Sequence, residues 1–190
     1  EHTISGLEFH SYAGDVLPAN PRETMEQLIY DLSFIARPDA STIQNLTFDS
    51  AYIASRVGAA VVYGVGTANT KVKNVTVSNS TVVNMGGKVA SVGLFARSVG
   101  GIIEDSTIVN SVSTIKSLDG EKSYDGWYQT LFAGKLQENS TLRNILIQDC
   151  TLDAYAYSSL FTNDIMSGAA IDGVTIRNLD ATWGHGNMYH

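Results

Sequence analysis

The apolar residues of this chain recur at fixed places in a six-residue unit. The unit reads ISGLEF at Ile4–Phe9, IQNLTF at Ile43–Phe48 and VKNVTV at Val72–Val77. It returns as IEDSTI at Ile103–Ile108, LRNILI at Leu142–Ile147 and IDGVTI at Ile171–Ile176. Places four and six are mostly apolar, while place five is Glu, Thr, Thr, Thr, Leu and Thr in turn. A period of two predicts a short strand, not a helix. Place three holds Gly6, Asn45, Asn74, Asp105, Asn144 and Gly173. These residue types tolerate positive φ, so the column predicts a left-handed corner once per repeat. A second polar column, Ser11, Ser50, Asn79, Asn110, Asp149 and Asn178, follows two places after each unit. It predicts a second corner at which stacked amides hydrogen-bond between rungs.

The unit starts are separated by 39, 29, 31, 39 and 29 residues, a base period of about 30 with two insertions of about ten. Such a period is the signature of a solenoid or array. Upstream of five units lie short apolar triplets centred on Phe34, Val62, Leu94, Leu131 and Leu160, each read as a further strand. The expected fold is all-β: a right-handed parallel β-helix of about five to six coils, its hand following that of parallel crossovers. Residues 1–190 read as a single β-solenoid domain, with a helical insertion over 10–33, a loop insertion over 114–128 and a C-terminal tail over 181–190. Within the first insertion, Asn20, Pro21 and Glu23 form a capping box. Met25, Leu28, Ile29 and Leu32 follow at helical spacing. They predict one short helix near residues 21–32, flanking the coils and covering an apolar edge. The tail carries Trp183 and Tyr189 and is expected to fold over the last rung or to begin another turn.

Composition narrows the functional classes. A chain of 190 residues with 44% hydrophobic content buries a continuous core, yet no apolar run approaches the roughly 20 residues that span a bilayer. No signal peptide opens the chain, so an exported form would begin downstream of a removed signal. The net charge is −7 and the 12 Lys and Arg are scattered, which excludes the electrostatic footprint of a nucleic-acid binder. One cysteine, Cys150, excludes an internal disulfide and a multi-cysteine zinc site. Sequons begin at Asn45, Asn74, Asn79 and Asn139 and are glycosylation candidates, with Asn79, inside the corner column, expected to be less accessible than Asn139.

The stretch Val92–Ser113, VGLFARSVGGIIEDSTIVNSVS, resembles the GLUG repeat of bacterial surface proteins, in which Gly-Leu, a glycine corner and an amphipathic strand recur. It is also similar to the β-helical N-terminal region of streptococcal IgA-specific metalloproteases. The likeness covers about residues 34–180. It implies export, surface attachment and an adhesive or spacer role. Only Gly93-Leu94 keeps the Gly-Leu pair, and H-E-x-x-H is absent from this sequence.

Catalytic chemistry finds little support. Gly184-His185-Gly186 matches an element of polygalacturonases, but those enzymes need paired aspartates as acid and base, and the sequence has no Asp-Asp pair. Asp149-Cys150 stands where the corner column already accounts for an acid. His2, His10, His185 and His190 lie near the ends without metal-ligand spacing, so no metal and no cofactor is expected. Thr47, Thr76, Thr107 and Thr175 recur at place five, but Glu8 and Leu146 interrupt the regular array that ice binding needs. The second insertion is the exception. Asp119, Glu121, Tyr124, Asp125, Trp127 and Tyr128 combine carboxylates with aromatic faces, a pattern suited to a sugar or to calcium. A solvated loop whose aromatics pack back on the coils has the same composition.

The expectation is therefore a non-catalytic extracellular module, at the cell surface or secreted, acting in adhesion or as a rigid spacer. Its partners would be a glycan or a protein, or further copies stacked end to end into a filament. A carbohydrate-active β-helix enzyme or a glycan-binding module is the competing class.

Overall fold

The computed structural model describes residues 2–10, 31–55, 58–85, 91–115, 128–154 and 157–183. They form four parallel sheets whose strands stack coil upon coil. The first sheet contains, in spatial order, His2–Ser5, Thr42–Asp49, Lys71–Ser78, Ile102–Val109, Thr141–Gln148 and Ala170–Arg177. The second follows the same order through Glu8–His10, Tyr52–Ser55, Thr81–Asn84, Val112–Ile115, Thr151–Ala154 and Asp180–Trp183. The third runs from Asp31–Leu32 through Gly58–Ala59, Ser91–Gly93 and Tyr128–Thr130 to Tyr157–Ser159. The fourth comprises Tyr63–Val65, Ala96–Val99, Ala133–Leu136 and Thr162–Ile165, extended by the bridge of Ile35 to Tyr63. Each coil visits the four sheets in turn, which makes the fold a parallel β-helix of six coils, the sixth contributing to the first two sheets.

The two predicted corners explain how one eight-residue strand keeps an apolar inner face. Asn45, Asn74, Asp105, Asn144 and Gly173 all have φ between 51° and 70°. In the central coil, Ile103 points inward before the corner, and Ser106 and Ile108 point inward after it. A plain strand would alternate without this shift; the left-handed residue rotates the chain so that places one, four and six all face the core. Register pairs Ile43 with Val72, Val72 with Ile103, Ile103 with Leu142 and Leu142 with Ile171, so five units stack place on place. The second corner is equally regular, with positive φ at Ser50, Asn79, Asn110, Asp149 and Asn178.

The first unit is a correction. Ile4 lies opposite Phe48 and Phe9 opposite Ile53, so Gly6 (φ 66°) belongs to the second corner and not to the first. The cause is local. Both corners carry an inward residue two places before the left-handed one and inward residues one and three places after it, as Asp105 and Asn110 illustrate. ISGLEF satisfies either frame; pairing with its neighbour decides.

The apolar triplets are also corrected. Ser33–Phe34, Val61–Val62, Leu94–Phe95, Leu131–Phe132 and Leu160–Phe161 are bends joining the third sheet to the fourth. Leu94 and Phe95 are both fully buried, as are Leu131 and Phe132, which alternation in a strand forbids and an inward bend allows. The bend amides continue the ladder: Phe34 N–H donates to Val61 O at 3.1 Å and Phe95 N–H to Phe132 O at 3.0 Å. Inside, the phenyl rings of Phe95, Phe132 and Phe161 stack at 5.2 and 5.0 Å, and Tyr63 meets Phe95 edge-on. Each such aromatic pair adds about 0.5–1.5 kcal/mol beyond the area it buries.

Among the described residues there is no helix. The expected helix near 21–32 lies outside them except for Asp31–Leu32, which is strand and pairs with Gly58–Ala59. Most of the 114–128 insertion and of the 181–190 tail also lie outside; Asp180–Trp183 is a strand of the second sheet.

Candidate functional site

The outer surface of the first sheet is a set of columns. At place two, Gln44, Lys73, Glu104, Arg143 and Asp172 are stacked in register and alternate in sign from Lys73 onward. Lys73 Nζ is 3.3 Å from Glu104 and 3.5 Å from Asp105, and Arg143 lies 3.9 Å from Glu104 on the other side. The Glu104 hydrogen bond and charge hold the Lys73 ammonium pKa above its ordinary value. Beside this column runs Thr47, Thr76, Thr107, Leu146 and Thr175, outward and in register, where threonine suits a half-exposed strand.

The corner columns are hydrogen-bonded between coils, at the first corner as well as at the second, for which alone the sequence predicted it. Asn74 Nδ2 donates to Asn45 Oδ1 at 2.9 Å, and Asn144 Nδ2 to Asp105 Oδ1 at 3.0 Å. At the second corner Asn178 Nδ2 donates to Asp149 Oδ1 at 3.0 Å, whereas Asn79 Nδ2 reaches Asp49 Oδ1 at 2.7 Å because the coil below has Ser50 at the corner. Donors facing a carboxylate favour its charged form. Hydrogen bonds from Ser78, then Asn79 and Ser50, hold Asp49 below the ordinary carboxylate range; Asn144 does so for Asp105, and Gln148 then Asn178 for Asp149.

Asp149-Cys150, which the sequence assigns to the corner column, is found there. Asp149 is a corner residue (φ 54°), and Cys150 is buried in an inward column with Ser80 and Ser111. Ser80 and Ser111 each donate to the carbonyl two residues back and accept an amide from the coil below. Cys150 Sγ repeats the first bond, toward Gln148 O at 3.2 Å, and burial pushes its thiol pKa up. It is a serine position occupied by sulfur.

The sequons divide on the same geometry. Asn45 and Asn74 are sequons because corner asparagine at place three precedes threonine at place five. The amide nitrogens of Asn74 and Asn79 are engaged in the ladder. Asn139 is exposed in the turn before Thr141–Gln148, and its side-chain nitrogen makes no hydrogen bond among the described residues.

Of the ligand-binding candidates, Asp119, Glu121, Tyr124, Asp125 and Trp127 lie outside the described residues, and Tyr128 is placed by its backbone as the first residue of Tyr128–Thr130. Topology nonetheless fixes where that segment joins the solenoid. Segments 11–30, 56–57, 86–90, 116–127 and 155–156 each link a strand of the second sheet to one of the third. Every length variation among these links thus falls at one corner. Beneath it, the fully buried Gln129 donates to Ser113 Oγ at 3.1 Å and to Asp153 O at 3.2 Å. Gly184-His185-Gly186 lies outside the described residues. Among the described residues no group of three His, Cys, Asp or Glu is placed to hold a metal, and no helix is long and apolar enough to cross a membrane.

No family model matches this chain, and neither do any curated protein or solved structure. The arrangement of its own residues carries the functional reading.

Proposed function

We propose that this chain is a non-catalytic extracellular β-solenoid module of a surface or secreted protein, acting as a rigid spacer or adhesive face. One observation carries the reading: the repeat accounts for the acids and the thiol of the first two sheets that most resemble reactive groups. Glu104 and Asp105 belong to a charge column and a corner, Asp149 to a corner, and Cys150 to an inward serine column. The longest links, and the widest variation in their length, fall at the corner between the second and third sheets, where a glycan or protein partner would meet the aromatic and acidic insertion over 114–128. The resemblance of Val92–Ser113 to GLUG-repeat surface proteins supports export, and Asn139 is the sequon best disposed for glycosylation. Incubation with polysaccharide and peptide panels tests the reading; turnover abolished by a point substitution would overturn it.

A second reading, stacking of copies end to end, is favoured by the last coils. Ile165, Met166 and Ile171 are exposed there, and no described strand pairs with the outer edge of Ala170–Arg177. Unpaired edges invite strand addition. Sedimentation across a hundredfold concentration range discriminates: reversible growth supports stacking, and a constant monomer rejects it.

A further inference from the structure

The two ends of the solenoid are unlike its sides. Among the described residues, the exposed large hydrophobics are Phe34 in the first coil and Leu160, Ile165, Met166 and Ile171 at the far end. The sheets also stop there in edges that no described strand pairs. In the first three sheets these are His2–Ser5, Glu8–His10 and Asp31–Leu32 at the head, and Ala170–Arg177, Asp180–Trp183 and Tyr157–Ser159 at the tail. The tail holds unsatisfied polar atoms as well. Ser158 Oγ, Ser159 Oγ and Asn163 Nδ2 are buried there without a hydrogen-bond partner among the described residues. Open edges, apolar surface and unpartnered polar atoms together call for a layer that brings backbone as well as side chains.

Register decides which layer fits. Thr3 and Ile4 lie opposite Thr47 and Phe48, in columns that end at Thr175 and Ile176. Phe9 lies opposite Ile53, in the inward column that ends at the small Ala181. Gly6 and Asn178 share the second corner, both with positive φ, and Phe34 occupies the same bend as Leu160. The first coil of a second copy, laid on the tail, continues these columns as one more repeat. Thr3 then stands beside Thr175 outside, Ile4 and Phe9 sit on Ile176 and Ala181 inside, and Phe34 covers Leu160. This head-to-tail contact keeps every strand parallel. A two-fold tail-to-tail contact reverses strand direction and can align only the sheets its axis crosses. One pair opposes the contact: Glu8 falls beside Asp180 on the outer surface. Like charges so placed are destabilising, and salt screens them.

We propose that copies of this chain join head to tail by strand addition, His2–Ser5 of one copy pairing with Val174–Arg177 of another, so that the solenoid continues across the junction. This rests on the end-to-end stacking reading and adds to it the polarity and register of the contact. A heterologous contact that does not close yields open filaments, not dimers. The test is cross-linking. Thr3→Cys and Thr175→Cys are combined in a Cys150→Ser background and mildly oxidised. Adjacent strands place the two Cα atoms about 4.8 Å apart, inside the disulfide range of about 4.4–6.8 Å, so a ladder of covalent oligomers is expected on non-reducing gels. Thr3→Cys with Thr107→Cys, outward but mid-solenoid, should give none, and neither should Thr175→Cys alone. In sedimentation, Leu160→Glu should weaken growth about tenfold, and Asp180→Lys should strengthen it by facing Glu8, both with circular dichroism unchanged. A constant monomer would overturn the stacking reading and this one together. Growth without a Thr3–Thr175 ladder, an equal ladder from the Thr107 pair, or dimers of Thr175→Cys alone would overturn the head-to-tail register and leave stacking in place.

Discussion

The central coils and the last two coils share one sequence pattern but not one environment. Ile103 opens its unit fully buried, whereas Ile171, at the same place two coils on, is 42% exposed. Leu94 is fully buried at its bend, and its equivalent Leu160 is 36% exposed. The residues are equally apolar; what differs is whether a coil lies on both sides. In a solenoid each repeat cannot bury its own face, and nearest-neighbour stacking supplies the core. The energetic weight of a position therefore depends on its place along the axis as much as on its residue type.

The sharpest way to break this comparison is to truncate equivalent leucines. Leu94→Ala should cost about 2–5 kcal/mol by leaving a cavity, and Leu160→Ala below about 1 kcal/mol, read as shifts in denaturant midpoint at constant m. Equal losses would contradict stacking as the source of the core. Next in size are the corners. Asn144→Ala combines a left-handed φ of 52° with loss of the bond to Asp105 and should cost about 1–2 kcal/mol. Asn144→Gly keeps the conformation and should cost less than Asn144→Ala, the difference measuring backbone strain.

Acid should act on the same columns. Asp49, Asp105 and Asp149 are held below their ordinary pKa, so their stabilisation is present above the unfolded carboxylate value, about 4, and is lost as pH falls through the folded values. The denaturant midpoint should fall as pH drops below about 4, less steeply in Asp49→Asn; a flat profile would remove the carboxylate contribution. The smallest effect concerns Tyr63, whose hydroxyl is fully buried without a hydrogen-bond partner among the described residues. Tyr63→Phe should be neutral or stabilising by about 1 kcal/mol in thermal unfolding.

Five of the six coils were legible in sequence because left-handed corners restrict the side chain: only Gly, Asn, Asp and Ser occupy the two columns. The first coil was misframed because its Gly6 suits either corner, and only pairing with Ile53 and Phe48 resolves it. The Leu-Phe pairs read as strands because each is a short apolar run, while their burial on consecutive residues belongs to a bend. The outward column of the fourth sheet left no linear signal: Val65, Ser98, Lys135 and Asp164 are far apart along the chain and meet only through coil register.

That register is the central claim, and spin labels at Thr47 and Thr175 test it most directly, in a Cys150→Ser background. The two residues occupy one outward column, four strand spacings apart through Thr76, Thr107 and Leu146. Pulsed dipolar spectroscopy should report a single narrow distribution consistent with a Cα separation of about 19 Å, four times the strand spacing. A broad distribution, or one centred well beyond that separation, would contradict in-register stacking of the coils.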